Sequence, residues 1–552
     1  MKKMLTALLL LFCSSVLFAQ TTTSGWEITN KIAAGDSLWG GWDLIVDLDL
    51  DNDGNMEFII SRDPSISGFL SNRSAGQIVD YYESTGDNQF ELRWTFQAPI
   101  LNNAGNVYTA ITMGDLDGDL MPELYFGTPL AISDSPPNPR GLYVFEFDGT
   151  NFPATPSETW NFGRPDNHEF KVSGMAAGDV DGDGEDELVV QSRGDDGDPG
   201  GGGGRTMMVV NSGGVDIGIG LGAFSIEFEN SINHTGGVVY DPRIVDFDND
   251  GLGEIWVFTW DFFSLAIYES PSANNYALQV DLNQVFAPDD FGHRRGMRFF
   301  DVNGDGNLEF YTAGIQPDNG PNGYIFYIGS TSDVASLTPG DVVKLGGKDL
   351  PADGSAVGDL DGDGLMDFLF AGRAPGNDDA TWIHRMEYSG TGAPDDSASY
   401  EWSTLYESDS PFADLRNVAI TDLDSDNKTE VLITRMNTLQ DTVPVLIVLE
   451  NTATGLSQNP GSTVIEKYVL RQNYPNPFNP QTTIGFDIKT AAEVNLTVYN
   501  ATGERVAELV NRQLPAGSYT ATFDGKNLSS GVYFYSLRTG DFVATRSMVL
   551  LK

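Results

Sequence analysis

Residues 358–372 read GDLDGDGLMDFLFAG, with Asp359, Asp361 and Asp363 on alternate positions, Gly364 after them and a fourth acid, Asp367, before an apolar run. Carboxylates so close repel one another, and taking each out of water costs several kcal/mol unless something compensates. A cation is the simplest compensation. Calcium takes about six to eight oxygen ligands in a flexible geometry, which suits carboxylates at positions 1, 3, 5 and 9 and a main-chain carbonyl at position 7. Glycine at position 6 permits the positive φ that turns the later ligands back toward the earlier ones. An EF-hand would set a glutamate at position 12 between helices. Here position 12 is Ile60 in the first copy and Phe370 in the sixth, inside β-like runs, so the loop joins two strands.

The pattern occurs seven times. Its candidate ligands are Asp49, Asp51, Asp53 and Glu57, then Asp115, Asp117, Asp119 and Glu123, then Asp179, Asp181, Asp183 and Glu187. They continue with Asp246, Asp248, Asp250 and Glu254, with Asp301, Asn303, Asp305 and Glu309, with Asp359, Asp361, Asp363 and Asp367, and with Asp422, Asp424, Asp426 and Glu430. Asn303 loses a charge but keeps an oxygen. Asn427 stands at position 6 of the seventh copy, and asparagine tolerates the left-handed region. Leu120 stands there in the second copy and does not, so site two is expected to be the weakest or rearranged. Up to seven calcium ions are expected, and seven would move the formal charge from −48 to −34.

The elements that must position these loops follow from the spacing. The first aspartates fall at 49, 115, 179, 246, 301, 359 and 422. A period of roughly sixty residues signals a propeller or another array. Between loops a second hairpin is legible, as in GLYVFEFDGTNF followed by SETWNFG, so each unit reads strand, loop, strand, then strand, turn, strand. After the seventh loop a fourth strand is missing, whereas GWEITNKIAA before the first loop is strand-like and unassigned. We expect an all-β chain: a seven-bladed β-propeller over residues 20–450, its last blade completed by Trp26 to Ile32 so that the ring has no open edge.

The chain of 552 residues is acidic but has ordinary apolar content, so it reads as a folded protein and not a disordered acidic one, and its acidity disfavours nucleic acid or anionic membranes as partners. Residues 1–19, with Lys2 and Lys3 before an apolar stretch from Leu5 to Val16 and Ala19 at the cleavage point, read as a signal peptide. Cys13, the sole cysteine, lies within it; Phe12 before it argues against lipoprotein processing. The exported chain then has no disulfide, and metal is the available staple. No later apolar run is long enough for a transmembrane helix. A polar connection, 451–468, leads to residues 469–552, where the proline-broken NYPNPFNP precedes about seven short alternating strands, the pattern of a small Ig-like β-sandwich.

The GDLDGDGLMDFLFAG type of repeat, with AGRAP (Ala371 to Pro375) trailing it and Phe291–Gly292 elsewhere, resembles the FG-GAP or VCBS-type repeats of the integrin α-subunit propeller and of bacterial surface proteins. That resemblance implies loops that bind calcium and brace the blades. Asn473 to Pro480, Gly531-Val532-Tyr533-Phe534 and the MVLLK terminus resemble the type A C-terminal sorting domain of the type IX secretion pathway of Bacteroidetes and related bacteria. This implies recognition by that machinery, passage across the outer membrane, and release or surface attachment.

No catalytic constellation is legible. His168, His234, His293 and His384 are far apart, no G-x-S-x-G elbow occurs, and the exported chain has no thiol. His293-Arg294-Arg295 is a local basic spot beside Asp289 and Asp290, and Arg193-Gly194-Asp195 opens a glycine-rich loop. Trp260, Phe262 and Phe263 are aromatics that could stack on sugar or fill the core. The expected function is a secreted or cell-surface binding and adhesion module for a glycan or an extracellular protein. The alternatives are a carbohydrate-active enzyme, as the resemblance to propeller-type polysaccharide lyases implies, and a structural part of an extracellular assembly.

Overall fold

Each loop acid at position 9 opens a run that is apolar on both faces, such as EIWVFT or EVLITR, and such a run is stable only as an inner strand covered on both sides. The computed structural model describes residues 21–22, 26–33, 40–63, 76–99, 109–128, 141–163, 170–195, 204–214, 217, 224–232, 239–259, 263–286, 296–314, 324–346, 352–361, 364–372, 381–408, 413–424, 426, 428–437, 444–451, 456–459, 467–473, 475–489, 492–514, 517–526, 528–540 and 542–552. Within these, seven antiparallel sheets follow one another along the chain, each built outward in sequence order except for the outermost strands of blades six and seven, which come from the N-terminal segment.

Blade one runs Gly40–Leu48, Glu57–Asp63, Ile78–Gly86 and Gln89–Gln97. Blade four, typical of the rest, runs Val239–Val245, Glu254–Thr259, Ser264–Glu269 and Ala277–Leu282. Its second strand is buried at every residue, while its fourth alternates between exposed and buried. The first strands of the blades lie innermost. Those of blades two and three, three and four, six and seven, and seven and one pack against each other. Together they line a central cavity of about 480 Å³. Successive blades bury aromatic and aliphatic layers between them, among them Trp256 against Phe299 and Phe310, and Phe263 against Phe326.

The ring closes at blade seven, whose own strands are Ala413–Thr421, Glu430–Asn437 and Pro444–Asn451. Trp26–Ala33 lies antiparallel on the third of these, from Trp26 opposite Asn451 to Ala33 opposite Pro444. Trp26 is buried in the core shared by blades six and seven. One further pairing has no counterpart in the sequence pattern: Thr21–Thr22 adds a fifth strand to blade six, against Tyr400–Glu407. The N-terminal segment therefore clasps two blades.

The C-terminal region forms two four-stranded sheets around one core that includes Phe486, Tyr519, Leu496 and Tyr535. Leu456–Asn459, placed by sequence in the connection, pairs with Gly517–Asp524 and belongs to the first sheet. The proline motif is knitted into the sandwich by its asparagines. The buried Asn473 donates to Pro475 O (3.1 Å) and Thr482 Oγ1 (2.9 Å) and, through its backbone, to Tyr535 Oη (2.8 Å). Asn476 Oδ1 accepts from Val549 N at 2.9 Å, and Phe478 bridges to Leu550. The MVLLK terminus thus packs back on the motif. No helix among the described residues is long and apolar enough to cross a membrane.

Candidate metal centres

All seven loops link the first strand of a blade to its second, so topology sets them at one end of the propeller. Position 2 is the anchor: Leu116, Val180, Phe247, Leu360 and Leu423 are all buried under their loops. The position-9 acid closes the loop from beneath. One oxygen of Glu57, Glu123, Glu187, Glu254, Glu309, Asp367 and Glu430 accepts the backbone N–H of position 2, at 2.8 to 3.1 Å. The position-1 acid accepts the N–H of position 6, and the position-5 acid that of position 7, as in Gly251 to Asp246 (3.1 Å) and Leu252 to Asp250 (2.9 Å).

Position 6 has positive φ wherever it is described: Gly54 +87°, Gly184 +91°, Gly251 +92°, Gly306 +89° and Gly364 +85°. Leu120 takes the same conformation at +71°. Loop two therefore keeps the shape of its siblings, and its four acids still converge. The expected misfit appears as local strain, with the leucine side chain 87% exposed. Position 4 is a second left-handed site that the sequence pattern had not singled out. It is Asn52, Gly118, Gly182, Asn249 and Gly304, at +57° to +75°. Its restriction to Asn, Gly and Ser across the copies was the available signal.

Four acids come together, with one oxygen of each inside a 4.8 Å set, in loop one (Asp49, Asp51, Asp53, Glu57), loop two (Asp115, Asp117, Asp119, Glu123) and loop four (Asp246, Asp248, Asp250, Glu254). In loop three, Asp179, Asp181 and Glu187 meet. In loop five, Asn303 Nδ2 donates to Asp305 (3.1 Å) and Glu309 Oε1 (3.4 Å). Asp363 and Asn427 lie outside the described residues. The fit to a cation is shown by the second oxygen of the position-9 acid. Oε1 of Glu57, Glu123, Glu254 and Glu430 is buried and has no hydrogen-bond donor among the described residues. Burial pushes these carboxyls up, Glu57 to about 7, Glu123 and Glu254 to about 8 and Glu430 to about 9, and neighbouring loop aspartates add to the effect. Such a group ionises readily only when a cation faces it.

Two further features were missed. The third strand places an acid directly across from position 9 in four blades, Glu83, Glu146, Glu387 and Glu450, and in blade four Glu269 is close enough to Glu254 to push its carboxyl up. Like charges paired across a ladder are unfavourable, so these glutamates increase the demand for positive charge; Arg93 meets Glu83 at 2.9 Å and Lys428 meets Glu450. Position 3 also reaches the next blade. Asp117 accepts from Ile217 N (2.7 Å), Asp181 from Asn274 N (2.7 Å), Asp248 from Val334 N (2.9 Å), and Asp424 of blade seven from Asn88 N of blade one (2.7 Å). Each of these loops thus also staples neighbouring blades together.

The other candidates do not converge. His384 is buried, with Nδ1 3.1 Å from Thr404 Oγ1, and Phe263 is core. His168, His234, His293, Arg294, Arg295, Trp260, Phe262, the Phe291–Gly292 pair and residues 373–375 lie outside the described residues. Arg193-Gly194-Asp195 ends the second strand of blade three, with Arg193 opposite Arg205.

Residues 472–551 match the secretion system C-terminal sorting domain and residues 49–126 an FG-GAP-like repeat. No curated protein matches. Among solved structures, PorZ, a surface component of the type-IX secretion system of Porphyromonas gingivalis, is similar at 12% identity and TM-score 0.39. That match covers 90% of this chain and 58% of PorZ, so the chain spans under two thirds of PorZ's length. A fructofuranosidase of Schwanniomyces occidentalis (9%, TM-score 0.30, 96% of this chain and 86% of the enzyme) and an exo-inulinase of Aspergillus awamori (8%, 0.31, 95% and 93%) are similar at the same level. The chain thus carries an FG-GAP-like repeat at residues 49–126, within seven successive antiparallel sheets, and a type IX sorting domain at residues 472–551 that marks it for export to the cell surface or secretion.

Proposed function

We propose that the exported chain is a calcium-braced binding propeller that recognises an extracellular glycan or protein. The observation that carries the calcium reading is the buried position-9 carboxylate. One of its oxygens is held by the loop's own backbone and the other has no hydrogen-bond donor among the described residues, while the four acids converge in loops one, two and four. The ion would neutralise this set and hold position 3 in place to grip the next blade. Residues 1–19 would direct export as a signal peptide, and the sorting domain would engage the type IX machinery.

Binding is favoured over catalysis by what the acids of the central cavity do. Asp43 accepts from Asn417 Nδ2 (3.0 Å) and from Leu44 N (3.2 Å). Asp241 accepts from Arg243 Nη2 (2.8 Å) and Gly296 N (3.4 Å). Both carboxylates are occupied in joining inner strands, a poor state for a general acid or nucleophile. The test is a glycan array on the exported chain, with calcium and with chelator, read beside its melting temperature. Calcium-dependent melting with a sugar hit supports the reading. Turnover of a polysaccharide would replace it with the enzyme reading. Melting unaffected by calcium would refute the brace.

A further inference from the structure

Loop six differs from its siblings at the place where a cation would be held. Its position-9 acid is Asp367, one methylene shorter than the glutamate of every other copy. Two residues further along that strand, Leu369 lies across the ladder from Arg385. The equivalent residues of the other third strands are Tyr81, Val144, Val209, Ile267, Tyr327 and Val448, none of them charged at neutral pH. At this ladder position the blade-six cation is therefore an exception, and it coincides with the one shortened acid, although Lys428 reaches the position-5 acid Asp426 in loop seven.

Arg385 Nε donates to Asp367 Oδ1, and its Nη2 lies 3.0 Å from both Asp361 Oδ2 and Glu387 Oε1. The other oxygen of Asp367 takes Leu360 N at 2.8 Å. Both oxygens of this position-9 acid thus have donors, unlike those of Glu57, Glu123, Glu254 and Glu430. One guanidinium meets the acids of positions 3 and 9 together with the cross-strand glutamate, and it is only 17% exposed. Guanidinium is a planar fork that stays charged at any working pH, so it can neutralise the set permanently. A divalent ion would have to share two of its ligands with this group at close range, against the repulsion of like charges.

We propose that the sixth loop is closed by Arg385 in place of a metal ion, so that blade six has a built-in cation while loops one, two and four, whose four acids converge, take calcium. The proposal rests on the calcium reading of those siblings.

The test counts ions. The exported full chain is stripped with chelator, dialysed to equilibrium against calcium, and its bound calcium measured per chain. Asp51→Asn in loop one should lower the count by one, whereas Asp361→Asn in loop six should leave it unchanged. Arg385→Met should raise it by one, with a melting temperature that falls in chelator and recovers in calcium. The proposal is overturned if Asp361→Asn loses one ion as Asp51→Asn does, or if folded Arg385→Met gains none. Because Asp361→Asn removes no packing, it keeps the question open to refutation even where Arg385→Met fails to fold. A wild-type chain that binds no calcium at all would overturn the calcium reading itself, an outcome distinct from the failure of loop six alone.

Discussion

Replacing Glu254 with glutamine removes one charge and one ligand, and the two losses act in opposite directions. Burial, aided by Asp248 and Asp246, pushes the Glu254 carboxyl from 4.5 up to about 8. A raised folded value means that this group's contribution is fully present below about 4.5 and is lost as pH rises through about 8. Each tenfold change in proton affinity is worth about 1.36 kcal/mol, so holding this carboxylate folded at pH 8 without a cation costs about 4 kcal/mol in full. The outer side of the loop is open to water, which screens the charge, so we take about 2 kcal/mol. Glutamine escapes this cost, and its amide oxygen can still accept from Phe247 N. In chelator at pH 8, Glu254→Gln should therefore be more stable than wild type by about 2 kcal/mol, the gain fading toward pH 5. In saturating calcium the sign reverses, because a ten- to hundredfold weaker site forfeits about 1.4–2.7 kcal/mol of linked stability. Melting curves of both chains, with calcium and with chelator at pH 8 and pH 5, read the four values. A variant that is less stable than wild type in chelator at pH 8 would refute the account of an uncompensated buried acid.

Leu120→Gly should stabilise blade two by about 1 kcal/mol, since it relieves a left-handed leucine whose side chain is mostly in water; the change is read in the melting temperature. Trp26→Ala should cost about 3 kcal/mol, because it empties a buried site on the strand that closes blade seven; the propeller's unfolding transition should move to lower denaturant. Asn473→Ala should cost about 2–3 kcal/mol, leaving Pro475 O and Thr482 without its amide; calorimetry should show the sandwich transition lowered and the propeller transition unchanged.

Much of this protein is written locally. The seven loops, their ligand order and the strands on either side are each contained within about fifteen residues, because a tight turn and a buried strand are specified by nearest neighbours. The period alone implied a ring of blades, and the asparagine–proline motif marked the terminal domain. What only the tertiary structure decided are contacts between segments far apart in the chain. Whether Leu120 would distort loop two depended on whether the surrounding hydrogen bonds could hold it at positive φ, and they do. That Asp424 reaches Asn88, and that Thr21–Thr22 extends blade six, follow from ring closure, which brings residues more than 300 positions apart to one seam. The approach of Arg385 to loop six was also hidden. Arg385 is 18 residues from Asp367 and looks like an ordinary strand residue until antiparallel pairing turns it toward the same face as the acids. Local sequence specifies the acidic loops, but which side chains face them across the ladder is set by the sheet register.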